Sequence, residues 1–193
     1  MEKTTHIVTG QARLSYVHLV QPYAHETGGE LKYSVTVLVP KSDTATKARI
    51  DAAIRAAIQA GISTKWNGAK PPICPTPMYD GDTTRPNGEA FNPECKGHWV
   101  FTATCKQDKR PRVVDLNRQD ILDAGAIYSG MYGRVAFDAF PYTYSGKKGI
   151  AFGLTSVQKT ADGQPLGNVA NLDEDYADSA PEVKLHPITG MPM

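Results

Sequence analysis

The stretch spanning residues 127–159, IYSGMYGRVAFDAFPYTYSGKKGIAFGLTSVQK, restricts what this chain can fold into more than any other. It reads as two strands joined by a tight, basic turn. Successive side chains of a strand point to opposite faces, so Val135, Phe137 and Ala139 share one face while Tyr132, Arg134, Phe140, Tyr142 and Tyr144 share the other. Residues 145–149, SGKKG, supply the glycines of a hairpin connection, and the return strand sets Ile150, Phe152 and Leu154 opposite Ala151, Gly153 and Thr155. The first face of each strand is core. The other sets rings and a guanidinium beside small residues, a surface on which flat anionic ligands lie, and single-stranded nucleic acid is the commonest of these. Burial between two layers accounts for any one of these rings equally well.

A hairpin cannot bury its apolar face alone, and the preceding chain supplies partners. Residues 8–20 are strand-like, with Val8, Gly10, Ala12, Leu14 and Tyr16 on one face, Gln11, Arg13 and Ser15 on the other, and Gly10 as a candidate bulge. Residues 31–39 alternate cleanly, Leu31, Tyr33, Val35, Val37 and Val39 against Lys32, Ser34, Thr36 and Leu38. Pro40 ends this strand, Ser42, Asp43 and Thr44 offer a helix cap, and a helix over 45–60 carries an Ile50, Ile54, Ile58 stripe up to Gly61 as its terminator. Periodicity fails over residues 61–97, which are dense in Pro, Gly, Asn and Asp. Loops this long in a compact domain are functional or mobile, and this one interleaves Trp66, Tyr79 and Phe91 with Lys65, Lys70, Arg85 and Lys96. Strand character returns at 98–106, and residues 118–124 read as a short helix before Gly125. The pattern predicts a mainly β fold: an OB-fold-like, antiparallel barrel with one α-helix and long loops, in which other small barrels or a sandwich fit the spacing as well.

With 193 residues and 40% hydrophobic content, one domain with appendages is expected, over residues 1–168, followed by an acidic and flexible tail over 169–193. No apolar run approaches the roughly 18 residues of a membrane span, and the start lacks the order of a signal peptide, so an intracellular protein without membrane contacts is expected. The net charge of +1 conceals an asymmetry. Residues 171–193 hold five acids and one base, leaving 20 bases against 15 acids and a net +5 on the body, a balance that favours polyanions.

Enzymatic readings are weak. Cys74, Cys95, His98 and Cys105 form a conceivable zinc set, but only Cys95 and His98 have tight spacing, and three scattered small hydrophobes fit better. Asp80-Gly81-Asp82 could hold a divalent metal for phosphodiester chemistry, yet Asp-Gly is first a turn former and no second acidic cluster accompanies it. No P-loop, dinucleotide fingerprint or nucleophile elbow is present, and neither an enzyme nor a cofactor is expected.

Tyr16-Val17-His18-Leu19, Lys32-Tyr33-Ser34 running to Pro40-Lys41, Asp80-Gly81-Asp82, Arg85-Pro86-Asn87-Gly88, and Tyr128-Ser129-Gly130 through Gln158 together resemble a bacteriophage family of single-stranded-DNA-binding proteins of OB-fold type, over roughly residues 5–168. The resemblance implies a sequence-independent binder acting in phage replication, recombination or repair in the cytoplasm of an infected bacterium. It departs from the family's acidic end, since the acids stop at Glu182 and the chain closes KLHPITGMPM, which bears on whether the tail recruits replication or recombination proteins. The candidate stacking rings are Trp66, Tyr79, Tyr132, Tyr142 and Tyr144, and the candidate phosphate contacts are Arg13, Lys32, Arg134, Lys147 and Lys148. The competing class is a phage structural or assembly protein that uses the same barrel to bind protein.

Overall fold

The computed structural model describes residues 5–167. The strands are β1 (His6–Val8), β2 (Ala12–Tyr23), β3 (Lys32–Pro40), β4 (Tyr79–Asp80), β5 (His98–Lys106), β6 (Arg112–Val114), β7 (Tyr132–Tyr144) and β8 (Lys147–Ala161), with one helix, α1 (Thr44–Thr64), between β3 and β4. Five strands form a ring in the order β2, β3, β5, β8, β7 and back to β2. This is a mainly β, OB-like ring with one helix, as the sequence pattern predicts. It is not wholly antiparallel, because β8 runs parallel to β5 and to β6. Nor is closure uniform: β3 and β5 pair along their whole length, whereas β2 meets β7 at two positions and β5 meets β8 at one.

The core lies inside the ring. Val35, Val37 and Val39 of β3 face Phe101 and Ala103 of β5, and Val135, Phe137 and Ala139 of β7 face Phe152 and Leu154 of β8, all buried. Phe101, Phe137 and Phe152 meet at its centre with ring centroids 4.6 to 5.2 Å apart. The hairpin faces match the alternation. The small face of β8 has a use as well, since Phe140 lies across Gly153. The turn is tighter than residues 145–149 suggested: Ser145 and Gly146 alone make it, both at positive φ, which matches the twist of the flanking strands.

Asp43 caps α1 by accepting from the Thr46 amide at 3.0 Å, and the helix runs to Thr64 rather than ending near Gly61. Gly61 lies inside the last turn because a Cβ there would sit 2.7 Å from the Trp66 ring and 2.8 Å from Pro141. Trp66 folds back under the helix end into the core, 2% exposed, with Nε1 donating to the Tyr142 carbonyl at 3.4 Å. The expected short helix over 118–124 is instead a turn, with Arg118 at φ 64° and one 3-10 turn at Ala124–Ala126. Among the described residues no helix is long and apolar enough to cross a membrane.

The tight contact at Gly61 yields a signed expectation. Alanine is a better helix former than glycine by about 0.8–1.0 kcal/mol, but an inserted methyl with no room costs about 1–3 kcal/mol. Gly61→Ala should therefore lower the melting temperature. A rise would show that Trp66 yields without cost.

Candidate nucleic-acid interface

The outer face of the ring is built from the polar side of the β3 alternation. Lys32, Ser34, Thr36 and Leu38 stand directly opposite Lys106, Thr104, Thr102 and Val100 of β5, and directly opposite residues of adjacent strands share a face. On the other edge of β3, Tyr23 pairs with Lys32, His18 with Ser34 and Ser15 with Thr36. Three rows result: a cationic row ending in Lys32 and Lys106, then two rows of hydroxyls in which Thr36 and Thr102 bond each other at 3.0 Å. The fourth pair, Leu38 and Val100, is covered by Cys95 and Phe91 of the long loop.

Two aromatic walls flank these rows. On the β2 side, the register shifts between Ser15 and His18, and Tyr16 at the shift adopts φ 45°. A bulky residue rarely takes this conformation, and here the bulge turns Tyr16 outward, 50% exposed, instead of leaving it on the Leu14 face where strict alternation puts it. The Asn92 amide donates to its hydroxyl at 3.0 Å. His18 and Tyr23 stack with centroids 4.5 Å apart and planes within 10° of parallel, and His25 meets Tyr23 edge-on. Partial burial, then the nearby His25, hold His18 below the usual histidine range, which favours its neutral ring.

The opposite wall is the loop after α1. Tyr79, Arg85, Pro86, Asn87 and Phe91 face the hydroxyl rows, and the Arg85 guanidinium lies 5.3 Å from the Phe91 ring centroid. Between the walls runs an open groove of about 660 Å³. The same loop continues past the hairpin tip, where Pro71, Pro72, Ile73 and Pro75 with Tyr142, Lys147 and Lys148 enclose a second cleft of about 520 Å³. The Pro75 carbonyl accepts from the Ile150 amide at 3.0 Å, which fixes the loop to the hairpin. Residues 71–79 thus wall both hollows.

The residues singled out from sequence divide accordingly. Tyr79 and Lys32 border the groove, and Tyr142, Tyr144, Lys147 and Lys148 gather at the hairpin tip, with Tyr144 77% exposed. Trp66 is a correction: it is a core side chain with no face for a base, because the loop carrying it turns back beneath α1. Arg13, Tyr132 and Arg134 lie together elsewhere and are engaged within the fold. Arg13 donates to the Gln164 carbonyl at 2.7 Å with its guanidinium 6.0 Å from the Tyr132 ring, Tyr132 packs on Gly163, and Arg134 donates to the Thr9 carbonyl at 3.0 Å. Tyr16, His18, Tyr23 and His25 were missed; only the run of rings and imidazoles around Tyr23 hinted at them, and the bulge has no signature in the sequence.

Among the described residues no three His, Cys, Asp or Glu side chains gather as metal ligands. Cys95 is buried beside Leu38 and Val100, Cys74 and Cys105 pack against the core, and burial raises the Cys95 and Cys105 thiols, away from the thiolate a zinc ion requires. Asp80 and Asp82 both bind Lys41, at 2.6 and 2.5 Å, and those bonds hold both carboxyls below the usual range and the Lys41 ammonium above its own. The expected acidic tail lies outside the described residues.

Comparison with known proteins bears on the whole of this arrangement. The single-stranded-DNA-binding protein of bacteriophage Enc34 in complex with single-stranded DNA is 32% identical, superimposes with a TM-score of 0.71 and covers 86% of this chain and 91% of its own. A further structure of the Enc34 protein gives 31% identity and a TM-score of 0.70 over 91% and 92% of the two chains. The gp2.5 protein of bacteriophage T7, a single-stranded-DNA-binding protein, is 19% identical with a TM-score of 0.59 over 94% and 97%, a likeness of fold. Putative protein p50 of Acyrthosiphon pisum secondary endosymbiont phage 1 is 29% identical over 180 residues, 87% of this chain and 91% of that one. Residues 5–185 match the family described as Enterobacter phage Enc34, ssDNA-binding protein, and the chain belongs to that family of phage single-stranded-DNA-binding proteins.

Proposed function

We propose that this chain is a single-stranded-DNA-binding protein of phage replication that lays the strand across the outer face of β2, β3 and β5 and leads it along residues 71–79 to the hairpin tip. Recombination and repair draw on the same activity, and the host cytoplasm is where it operates. One observation carries the reading: a floor lined by Ser15, Ser34, Thr36 and Thr102, of which Thr36 and Thr102 are the accessible ones, runs between two walls of rings, with Lys32 facing Lys106 at one end. Like charges directly opposite in a ladder repel; Glu30, 3.2 Å from Lys32, offsets part of that repulsion, and a phosphate between the two lysines relieves the rest. Rings of Tyr16, Tyr79 and Tyr142 take base faces, while Lys32, Lys106, Arg85, Lys147 and Lys148 take phosphates. Binding is the whole of the activity in this reading. The Asp80 and Asp82 carboxylates, which metal-assisted chemistry would need free, are both engaged by Lys41.

Stacking needs bases that a duplex keeps paired, so fluorescent oligothymidine should bind more tightly than its duplex counterpart at moderate salt, with tyrosine and tryptophan emission quenched. Equal affinity for the two forms sinks the proposal and favours a protein-binding barrel.

Tyr16→Ala should weaken oligothymidine binding by about 1–3 kcal/mol, the value of one stacked base, and leave the slope of log affinity against log salt unchanged. Lys147→Ala with Lys148→Ala should instead make the slope shallower, by roughly 0.7 for each phosphate of a single strand that is no longer neutralised. Thermal melts of each variant separate these effects from unfolding. An unchanged affinity for folded Tyr16→Ala assigns the strand to another face.

A further inference from the structure

The Asp80-Gly81-Asp82 turn has no part in the contacts proposed above, yet it sits at the root of the groove wall. Lys41, just past the end of β3, reaches both carboxylates and lies 5.0 Å from the Trp99 ring centroid, with Lys47 of α1 at 4.5 Å from the same ring. Asp82 in turn accepts from the Gly97 amide at 2.9 Å, and the Gly97 carbonyl accepts from the Lys41 amide at 3.0 Å. Asp80 accepts from the Asp82 amide at 2.9 Å, and its carbonyl accepts the Thr83 hydroxyl at 2.8 Å. Gly81 lies flat on the chain at Cys95, where a Cβ would collide with the carbonyl oxygen, and its amide donates to the His98 carbonyl at 2.9 Å. Both ends of residues 83–96 are therefore tied at one point.

Between those ties the chain forms a small arm. Thr84 bridges to Ala90, the Arg85 amide donates to the Glu89 carbonyl at 2.7 Å, and Gly88 turns the chain at φ 87°. The arm carries Arg85, Pro86, Asn87 and Phe91 over the hydroxyl rows. Its other anchors include Phe91 and Cys95 against Leu38 and Val100, the Phe91 ring 6.2 Å from that of Tyr79, and Asn92 on the Tyr16 hydroxyl.

We infer that Lys41, Asp80 and Asp82 form a latch that positions this arm as the second wall of the groove, so that two acidic side chains support the binding of a polyanion. The inference rests on the groove reading. It makes Asp80 and Asp82 positioning residues that never touch the strand and gives the turn a role beyond reversing the chain.

Charge and position predict opposite signs, which is what makes the latch testable. Removing two carboxylates near a phosphate path tightens binding if only charge matters, because repulsion falls. Asp80→Asn with Asp82→Asn should instead weaken oligothymidine binding about fivefold or more. The salt slope should stay as in the parent, and a glutamate-specific protease should cut after Glu89, an exposed residue of the arm, faster. Lys41→Met should behave alike, with an unchanged slope that separates a latch from a phosphate contact, and Lys41→Arg should recover most of the affinity. Asp82→Asn alone, at a side chain 45% exposed, serves if the double variant does not fold. Unchanged or tighter binding by the folded carboxylate variants, or unchanged cleavage at Glu89, overturns the latch. Failure of the parent protein to prefer the single strand overturns the groove reading instead, and the cleavage at Glu89 still reports on the latch.

Discussion

Closure of the ring depends on three phenylalanines more than on backbone pairing. Where β5 meets β8 the ladder has a single register position, and where β2 meets β7 it has two, so hydrogen bonds alone leave the two seams weak. Phe101, Phe137 and Phe152 come from the three strands around the β5–β8 seam and pack within 5.2 Å of one another, and each such pair adds about 0.5–1.5 kcal/mol beyond its buried area. Apolar burial does what the short ladders cannot. With the inner faces committed, the outer faces are free to vary, and the loops decide what they become.

The groove follows from that freedom through two departures from regularity. One is the bulge in β2. An unbroken β2 alternation sends Tyr16 inward beside Leu14; an extra residue in the strand reverses it, at the cost of a positive φ in a bulky side chain. Strain of this kind, of order 1–3 kcal/mol, persists where the surroundings over-determine it, and here the Asn92 amide holds the tyrosine hydroxyl from the far wall. The other departure is the loop after α1, which buries Trp66 at its start, fastens Pro75 to the hairpin and returns as the arm over β3 and β5. Both walls therefore touch each other as well as the floor.

How much of this was legible follows from which forces are local. Strand alternation in β3 and in the final hairpin, and the Asp43 cap of α1, are set by near neighbours in sequence, and all three are visible there. The motifs that resemble the phage family identified it correctly, because their order along the chain survives without knowledge of contacts. Trp66 misled because a tryptophan among lysines and glycines has the composition of a surface loop, and only the close approach allowed by Gly61 draws it inside. Arg13, Tyr132 and Arg134 looked free because the groups they hold are far from them in sequence, Gln164 for Arg13, Gly163 for Tyr132 and Thr9 for Arg134. Alternation assigned their face correctly, but a face does not say what will cover it.

In the proposed reading, the chemistry of the groove floor suits tolerance of any base sequence. Thr36, Thr102 and Thr104 present hydroxyls, with Ser15 and Ser34 buried beside them, and a hydroxyl donates or accepts by rotating one bond. A floor of Asn, Gln or Arg would fix donors and acceptors in a fork and select particular base edges. Rings in the walls accept any base face, since all four have a π-surface. Cations stand at the ends and on the arm, at Lys32, Lys106, Arg85 and the hairpin tip, where the proposed path sets phosphates that every sequence shares. In that reading affinity rests on groups that do not discriminate. The side-chain amides beside the groove are engaged within the protein, Asn92 in orienting Tyr16 and Asn87 in holding Glu89, so neither is left to read a base.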